Sequence, residues 1–230
     1  MQGCSTDNRE MMTREAMFTQ IKEIGIIPAV RVSSTADALF AAEAVISGGI
    51  PIVEITMTVP EAADVISELG RTRPEVIVGG GTVLDLDTAH QCLEAGAAFL
   101  TSTGLDLEIV DFAQKHGIPV IPGALTPTEV MAARKAGADF IKIFPCSNVG
   151  GAGYIRSLRS PFPNVGLIAS GGVNQQTATD FIRAGASALG IGQDLLPREA
   201  IRMRNEAWIH ELARRFLGMV REARGQNATR

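Results

Sequence analysis

Cysteine is scarce in this chain. The three present, Cys4, Cys92 and Cys146, are far apart, odd in number and form no Cys-x-x-Cys pair. That excludes a disulfide scaffold and a zinc-ribbon site, and a reducing cytoplasm is the expected compartment. Histidine is equally rare. His90, His116 and His210 are scattered without metal-ligand spacing, read as surface helix residues, and no metal is expected. An excess of basic charge is also missing: 21 Lys and Arg face 25 Asp and Glu, a net charge of -4. No nucleic-acid partner is implied, although an acidic protein can still carry a locally positive site for a small acidic substrate. No run is apolar and long enough to span a membrane. The polar stretch Met1–Glu10 lacks the apolar segment of a secretion signal, so Gly3-Cys4 does not read as a lipoprotein cleavage site.

What the chain does have is apolar residues, 46% of 230, enough to bury a sizeable core. They fall into short β-branched runs separated by longer Ala-rich amphipathic stretches. Eight candidate strands emerge: Ile26–Val32, Ile50–Thr56, Val76–Gly79, Ala98–Ser102, Ile118–Pro122, Phe140–Phe144, Gly166–Ser170 and Ala188–Ile191. Helical spacing marks Ala36–Ser47, Glu61–Arg71 and Thr128–Ala136 between them, an extra helix Thr13–Ile24 at the start and one long helix Ala200–Arg224 at the end. Met11, Met12 and Met17 are expected to pack the first helix on the barrel bottom.

A local signature repeats. Ser-Gly-Gly-Ile at 47–50, Glu-Ala-Gly-Ala-Ala at 94–98, Lys-Ala-Gly-Ala-Asp at 135–139 and Arg-Ala-Gly-Ala-Ser at 183–187 each read as a helix ending in glycine and running into a strand. Alternation alone fits an open doubly wound sheet as well. Eight units, and the lack of a Gly-x-Gly-x-x-Gly fingerprint after the first strand, favour a single (β/α)8 TIM barrel with an extra N-terminal helix. No composition break divides residues 1–230. One domain is expected, with the barrel over about 21–224 and flexible ends at 1–12 and 226–230.

Strands of a parallel barrel are buried on both faces, so charged residues in them need a reason. Arg31 sits near the C-terminal end of the first strand. Glu54 shares a face with Ile52 and Thr56, and Lys142 with Phe140 and Phe144, while Ile141 and Ile143 point the other way. An unpaired ammonium buried there costs several kcal/mol unless it sheds its proton. A neutral amine is the nucleophile that condenses with a ketone to a Schiff base, an electron sink that permits carbon–carbon cleavage. Glu54 is placed to move the protons and Arg31 to grip a carboxylate. The bland alternative is a structural Lys142–Glu54 ion pair. Charges at the C-terminal halves of three strands, where barrels carry their sites, favour the catalytic reading.

Glycine-rich segments follow the third strand (Gly79-Gly80-Gly81-Thr82), the seventh (Ser170-Gly171-Gly172-Val173-Asn174) and end the eighth (Gly190-Ile191-Gly192-Gln193). Loops after strands seven and eight are the usual phosphate site of a barrel, although glycines also simply make turns. Cys146, next to the proposed site, is read as a passive neighbour.

Val53-Glu54-Ile55-Thr56, Gly79-Gly80-Gly81-Thr82-Val83-Leu84, Phe140-Ile141-Lys142-Ile143-Phe144-Pro145 and Ser170-Gly171-Gly172-Val173-Asn174, in this order, resemble the 2-keto-3-deoxy-6-phosphogluconate (KDPG) and 4-hydroxy-2-oxoglutarate (KHG) aldolase family over about Ile21–Val220. The resemblance implies an α/β barrel assembled as a homotrimer that needs no metal or cofactor. It implies Schiff-base formation by Lys142, proton shuttling by Glu54 and pyruvate carboxylate binding by Thr82. It implies packing of Phe144 near the pyruvyl carbon and phosphate binding by Gly171 and Gly172. The implied reaction splits a 2-keto-4-hydroxy acid into pyruvate and glyceraldehyde 3-phosphate or glyoxylate. The chain departs from the family at Thr58, where some members carry arginine and others place it at the position of Arg31. It departs also at Ser102-Thr103, at Ser170, which keeps a hydroxyl in place of threonine, and at Gln193, where serine is frequent and where the phosphate contact is thereby altered. The rival readings are a phosphate-binding isomerase or epimerase barrel and a non-catalytic keto-acid-binding barrel.

Overall fold

A computed structural model describes residues 13–225. The flexible ends expected at 1–12 and 226–230, and the packing expected of Met11 and Met12, lie outside those residues. Helix α1 (Arg14–Ile24) precedes strand β1 (Ile26–Val30). Then follow α2 (Thr35–Ser47), β2 (Ile52–Thr56), α3 (Ala62–Thr72), β3 (Ile77–Gly81), α4 (Leu86–Glu94), β4 (Leu100–Thr101) and α5 (Leu107–Lys115). The chain continues through β5 (Val120–Ile121), β6 (Gly123–Ala124), α6 (Pro127–Lys135), β7 (Phe140–Ile143), a 3-10 turn at Cys146–Val149 and α7 (Gly151–Arg159). It ends with β8 (Gly166–Ser170), α8 (Ala178–Arg183), β9 (Ala188–Ile191), α9 (Arg198–Arg202) and α10 (Glu206–Gly225).

All nine strands lie in one parallel sheet of order β5-β4-β3-β2-β1-β9-β8-β7-β6. Its two ends, β5 and β6, are halves of one segment separated by Pro122, which has no N–H for the ladder. One half pairs with β4 and the other with β7, so the expected eight strands close into a TIM barrel through this broken one. The order of β1 beside both β2 and β9 is the closure an open doubly wound sheet lacks.

The repeated glycine signature has a common geometry. Gly49, Gly96, Gly137 and Gly185 all adopt left-handed φ values of 99, 82, 90 and 106°. Past each, the next amide reaches back five residues, as Ala97 to the Cys92 carbonyl (2.9 Å) and Ala138 to that of Ala133 (3.0 Å). This motif satisfies the last helical carbonyls and turns the chain directly into the next strand.

Helix α1 closes the end of the barrel below the strands. Met17 and Ile21 are buried, and the Phe18 ring meets Phe140 edge-on at 5.4 Å. Arg14 pins the helix, donating to Asp139 Oδ1 from Nε (2.9 Å) and to Gln114 Oε1 (2.8 Å).

Two sequence expectations need correction. The single helix expected over Ala200–Arg224 is two, α9 and α10. Arg204 breaks it in a left-handed conformation (φ 51°), and Asn205 Oδ1 then caps α10 by accepting from the Trp208 amide at 3.1 Å. The Arg204 side chain holds the break, pairing with Asp37 at 2.9 Å and lying 4.8 Å over the Phe40 ring. Second, Gly79-Gly80-Gly81 is not a loop after the third strand but its last three residues, buried and hydrogen-bonded. A side chain would strike the Phe99 ring at Gly79, Cys92 Sγ at Gly80 and Glu54 Oε1 at Gly81. These glycines exist for close packing rather than for an anion.

Candidate active site

The barrel interior brings Glu54 of β2 and Lys142 of β7 together. Side chains alternate along each strand, and the turn of the barrel aims these two inward. Lys142 Nζ lies 3.8 Å from Glu54 Oε2. Lys142 is 7% exposed and Glu54 3%, so neither keeps a hydration shell and each is the other's counter-charge. The Lys142 ammonium also sits 5.9 Å from the centre of the half-buried Phe144 ring.

The carboxylate is held unevenly. The Thr101 hydroxyl of β4 donates to Glu54 Oε2 at 2.8 Å, whereas the buried Oε1 has no partner. Glu54 and Thr101 flank β3, and they meet because Gly81 between them has no side chain; a Cβ there would lie 2.1 Å from Oε1.

Arg31 follows β1 rather than lying within it, one residue past Val30 and exposed. Its Nη2 donates to the Thr82 hydroxyl at 2.8 Å and its Nη1 to the Thr58 hydroxyl at 3.2 Å. The guanidinium from position 31 therefore occupies the neighbourhood of residue 58, where some family members carry arginine themselves. Thr82, at the end of β3, has φ 59°, an uncommon and costly conformation for a β-branched residue. Thr56 backs the group, donating to the Val30 carbonyl at 2.9 Å and touching the Thr58 hydroxyl at 2.9 Å.

The rim glycines behave differently from one another. Gly171 and Gly172, after β8, have φ 84 and 79° and fold over Phe144 and Ser147; the Ser147 amide donates to the Gly171 carbonyl at 3.1 Å. Ser170, mostly buried at the end of β8, packs over Gly190, where a Cβ would be 2.9 Å from its Oγ. Gly192 and Gln193, after β9, line a cavity of about 130 Å³ with Ala29, Arg31, Val32 and Leu196. The Gln193 amide oxygen, turned toward Arg198, accepts from its Nε at 3.1 Å and Nη2 at 3.2 Å. A larger open depression of about 420 Å³ between α4 and α5 belongs to the outer helical layer and contains none of these groups.

The structure thus gathers Lys142, Glu54, Phe144, Arg31 and Thr82, and places Ser170, Gly171, Gly172, Gly192 and Gln193 after the last two strands. Thr101, Ser147 and Arg198 escaped the sequence reading. Only Thr101 carried a signal there, a hydroxyl in an apolar strand. Burial pushes the Cys146 thiol up to about 11, in keeping with a passive neighbour.

Fold and site define a parallel α/β-barrel lyase of the Schiff-base aldolase class. A family model for KDPG and KHG aldolase matches residues 17–212. The KHG/KDPG aldolase of Escherichia coli K12 is 33% identical over 190 residues, covering 82% of this chain and 89% of that one. The Legionella pneumophila KDPG aldolase, solved with pyruvate captured as a covalent carbinolamine, superposes with TM-score 0.80 at 31% identity, covering 85% and 95%. The Zymomonas mobilis enzyme with 3-phosphoglycerate gives 0.78 at 28%, covering 86% and 93%. The chain belongs to the KDPG and KHG aldolase family.

Proposed function

We propose that this chain reversibly cleaves a 2-keto-4-hydroxy acid through a Schiff base on Lys142, releasing pyruvate and an aldehyde. The observation that carries the reading is the buried Lys142–Glu54 pair at 3.8 Å beside the Arg31–Thr82 clamp. Lys142 attacks the C2 ketone and loses water to form the iminium. Glu54 takes the proton of the C4 hydroxyl, and the C3–C4 bonding pair moves into the iminium as the aldehyde leaves. The enamine takes a proton at C3 through Glu54, and hydrolysis frees pyruvate and the amine. Arg31 and Thr82 hold the pyruvyl carboxylate, and Phe144 packs on its carbon.

The favoured substrate is 2-dehydro-3-deoxy-6-phosphogluconate, its phosphate taken by Ser170, Gly171, Gly172, Gly192 and Gln193, whose amides and side chains ring the last two strand ends. Capture of 3-phosphoglycerate by the Zymomonas mobilis relative supports a phosphorylated product, glyceraldehyde 3-phosphate. 4-Hydroxy-2-oxoglutarate is the second substrate. No helix among the described residues is long and apolar enough to cross a membrane. A cytoplasmic, single-domain enzyme needing no cofactor is proposed on the family assignment. A homotrimer is proposed on the same ground, and exposed Leu84, Leu107 and Met131 supply apolar surface for subunit contacts.

The test is to incubate the protein with pyruvate, reduce with borohydride and map the adduct by mass spectrometry. An adduct confined to Lys142 and lost in Lys142→Ala supports the mechanism. Unmodified Lys142 in folded protein overturns it in favour of isomerase or binding-protein chemistry.

A further inference from the structure

We propose that Thr101 is a positioning residue for Glu54, fixing which carboxylate oxygen exchanges the substrate's C3 proton. The inference rests on the Schiff-base reading above and goes past it to a residue outside the set of nucleophile, base and anion contacts.

The terminal torsion of a glutamate is broad and nearly two-fold, so nothing intrinsic distinguishes its two oxygens. Here they differ sharply. Oε2 receives the Thr101 hydroxyl at 2.8 Å and is the oxygen nearest Lys142 Nζ, at 3.8 Å. Oε1 is buried and has no partner. An unpaired buried acceptor is costly and calls for an explanation, and an incoming group that binds there supplies one. Thr101 is itself 2% exposed, on a two-residue strand whose neighbours Phe99 and Leu100 are fully buried and apolar. A hydroxyl in that setting needs a partner, and Glu54 provides it across the gap that Gly81 leaves.

The division of labour follows. Lys142 condenses with the pyruvyl ketone, releasing water. A C3–H bond then breaks, its proton passes to Oε1, and its electron pair forms the C2–C3 double bond of the enamine as the iminium nitrogen takes back its own pair. Thr101 keeps donating to Oε2 throughout. It prevents the carboxylate from turning its free oxygen away from C3. Without the hydroxyl, orientation is lost while the nucleophile is untouched.

Thr101→Val removes the hydroxyl at nearly constant shape, and Thr101→Ser restores it. Three readouts separate the roles: borohydride trapping of pyruvate on Lys142, the KM for pyruvate, and deuterium uptake from D2O into the pyruvate methyl group followed by NMR. We expect Thr101→Val to trap pyruvate like the wild type, with KM within about twofold. Its exchange should fall about 10- to 100-fold, the effect of losing a hydrogen bond to a charged group. Thr101→Ser should recover most of the rate. Exchange at the wild-type rate in Thr101→Val overturns the proposal, as does a parallel loss of trapping and exchange, which marks a merely structural hydroxyl. Wild-type protein that fails to trap pyruvate at all sinks the Schiff-base reading, and the proposal falls with it.

Discussion

Arg31 donates to the Thr82 hydroxyl at 2.8 Å and with its other nitrogen to Thr58 at 3.2 Å, so one guanidinium joins the ends of three neighbouring strands. Its planar fork matches a carboxylate, and no lysine reproduces that geometry. Arg31→Ala is expected to raise the KM for pyruvate about 10- to 100-fold, the loss of a charged hydrogen bond of about 1.5–3 kcal/mol. Because Thr58 lies beside the guanidinium, Arg31→Ala combined with Thr58→Arg should recover part of that loss. Steady-state kinetics of the two variants decide it. A double variant no better than the single one would show that the clamp depends on the strand that supplies it.

Gly81 is the second pressure point. A methyl group there would lie 2.1 Å from Glu54 Oε1, far inside contact distance. Gly81→Ala should fold and still form the Lys142 adduct, but displacement of the carboxylate by about 1 Å should lower turnover about 100-fold. Turnover near wild type would mean that Glu54 is not the proton carrier.

Stability carries a separate pH signature at the start of α6. The Leu125 and Thr126 amides donate to Glu129 Oε2 at 2.8 and 2.7 Å, and the Thr126 hydroxyl adds a third bond at 2.8 Å. The backbone donors hold the Glu129 carboxyl below its ordinary 4.5. A depressed native value means stability that is present above the unfolded value and lost as pH falls through the native one. Urea titrations should find Glu129→Gln less stable than wild type by about 1 kcal/mol at pH 7. The gap should close below pH 4.5, and one that persists unchanged at pH 3 would rule out the charge as its source.

The two described cysteines should be chemically silent. Burial pushes Cys92 up to about 12 and Cys146 up to about 11, so almost no thiolate exists at neutral pH. Iodoacetamide at pH 7.5 should leave both unmodified in the folded protein, and Cys146→Ala should retain turnover within a few fold. Rapid alkylation of Cys146 with loss of activity would give it a chemical role.

The sequence by itself determined the barrel and singled out Lys142 as the proposed nucleophile. Short β-branched runs alternating with helices, and the glycine signature at four helix ends, dictate repeated strand–helix units because each choice is local. Glu54 and Lys142 were legible for the same reason: a charge among apolar neighbours in a doubly buried strand is costly wherever that strand lies. Tertiary structure decided what depends on distance across the sheet. That Gly81 is a packing gap and not a loop, that Thr101 reaches Glu54 across it, and that Arg31 stands beside Thr58 all follow from the register and curvature of β1 to β4. The split of the last helix at Arg204 likewise depends on Asp37 and Phe40 of a distant helix. Local periodicity contains no term for such contacts, since they exist only once the barrel has closed.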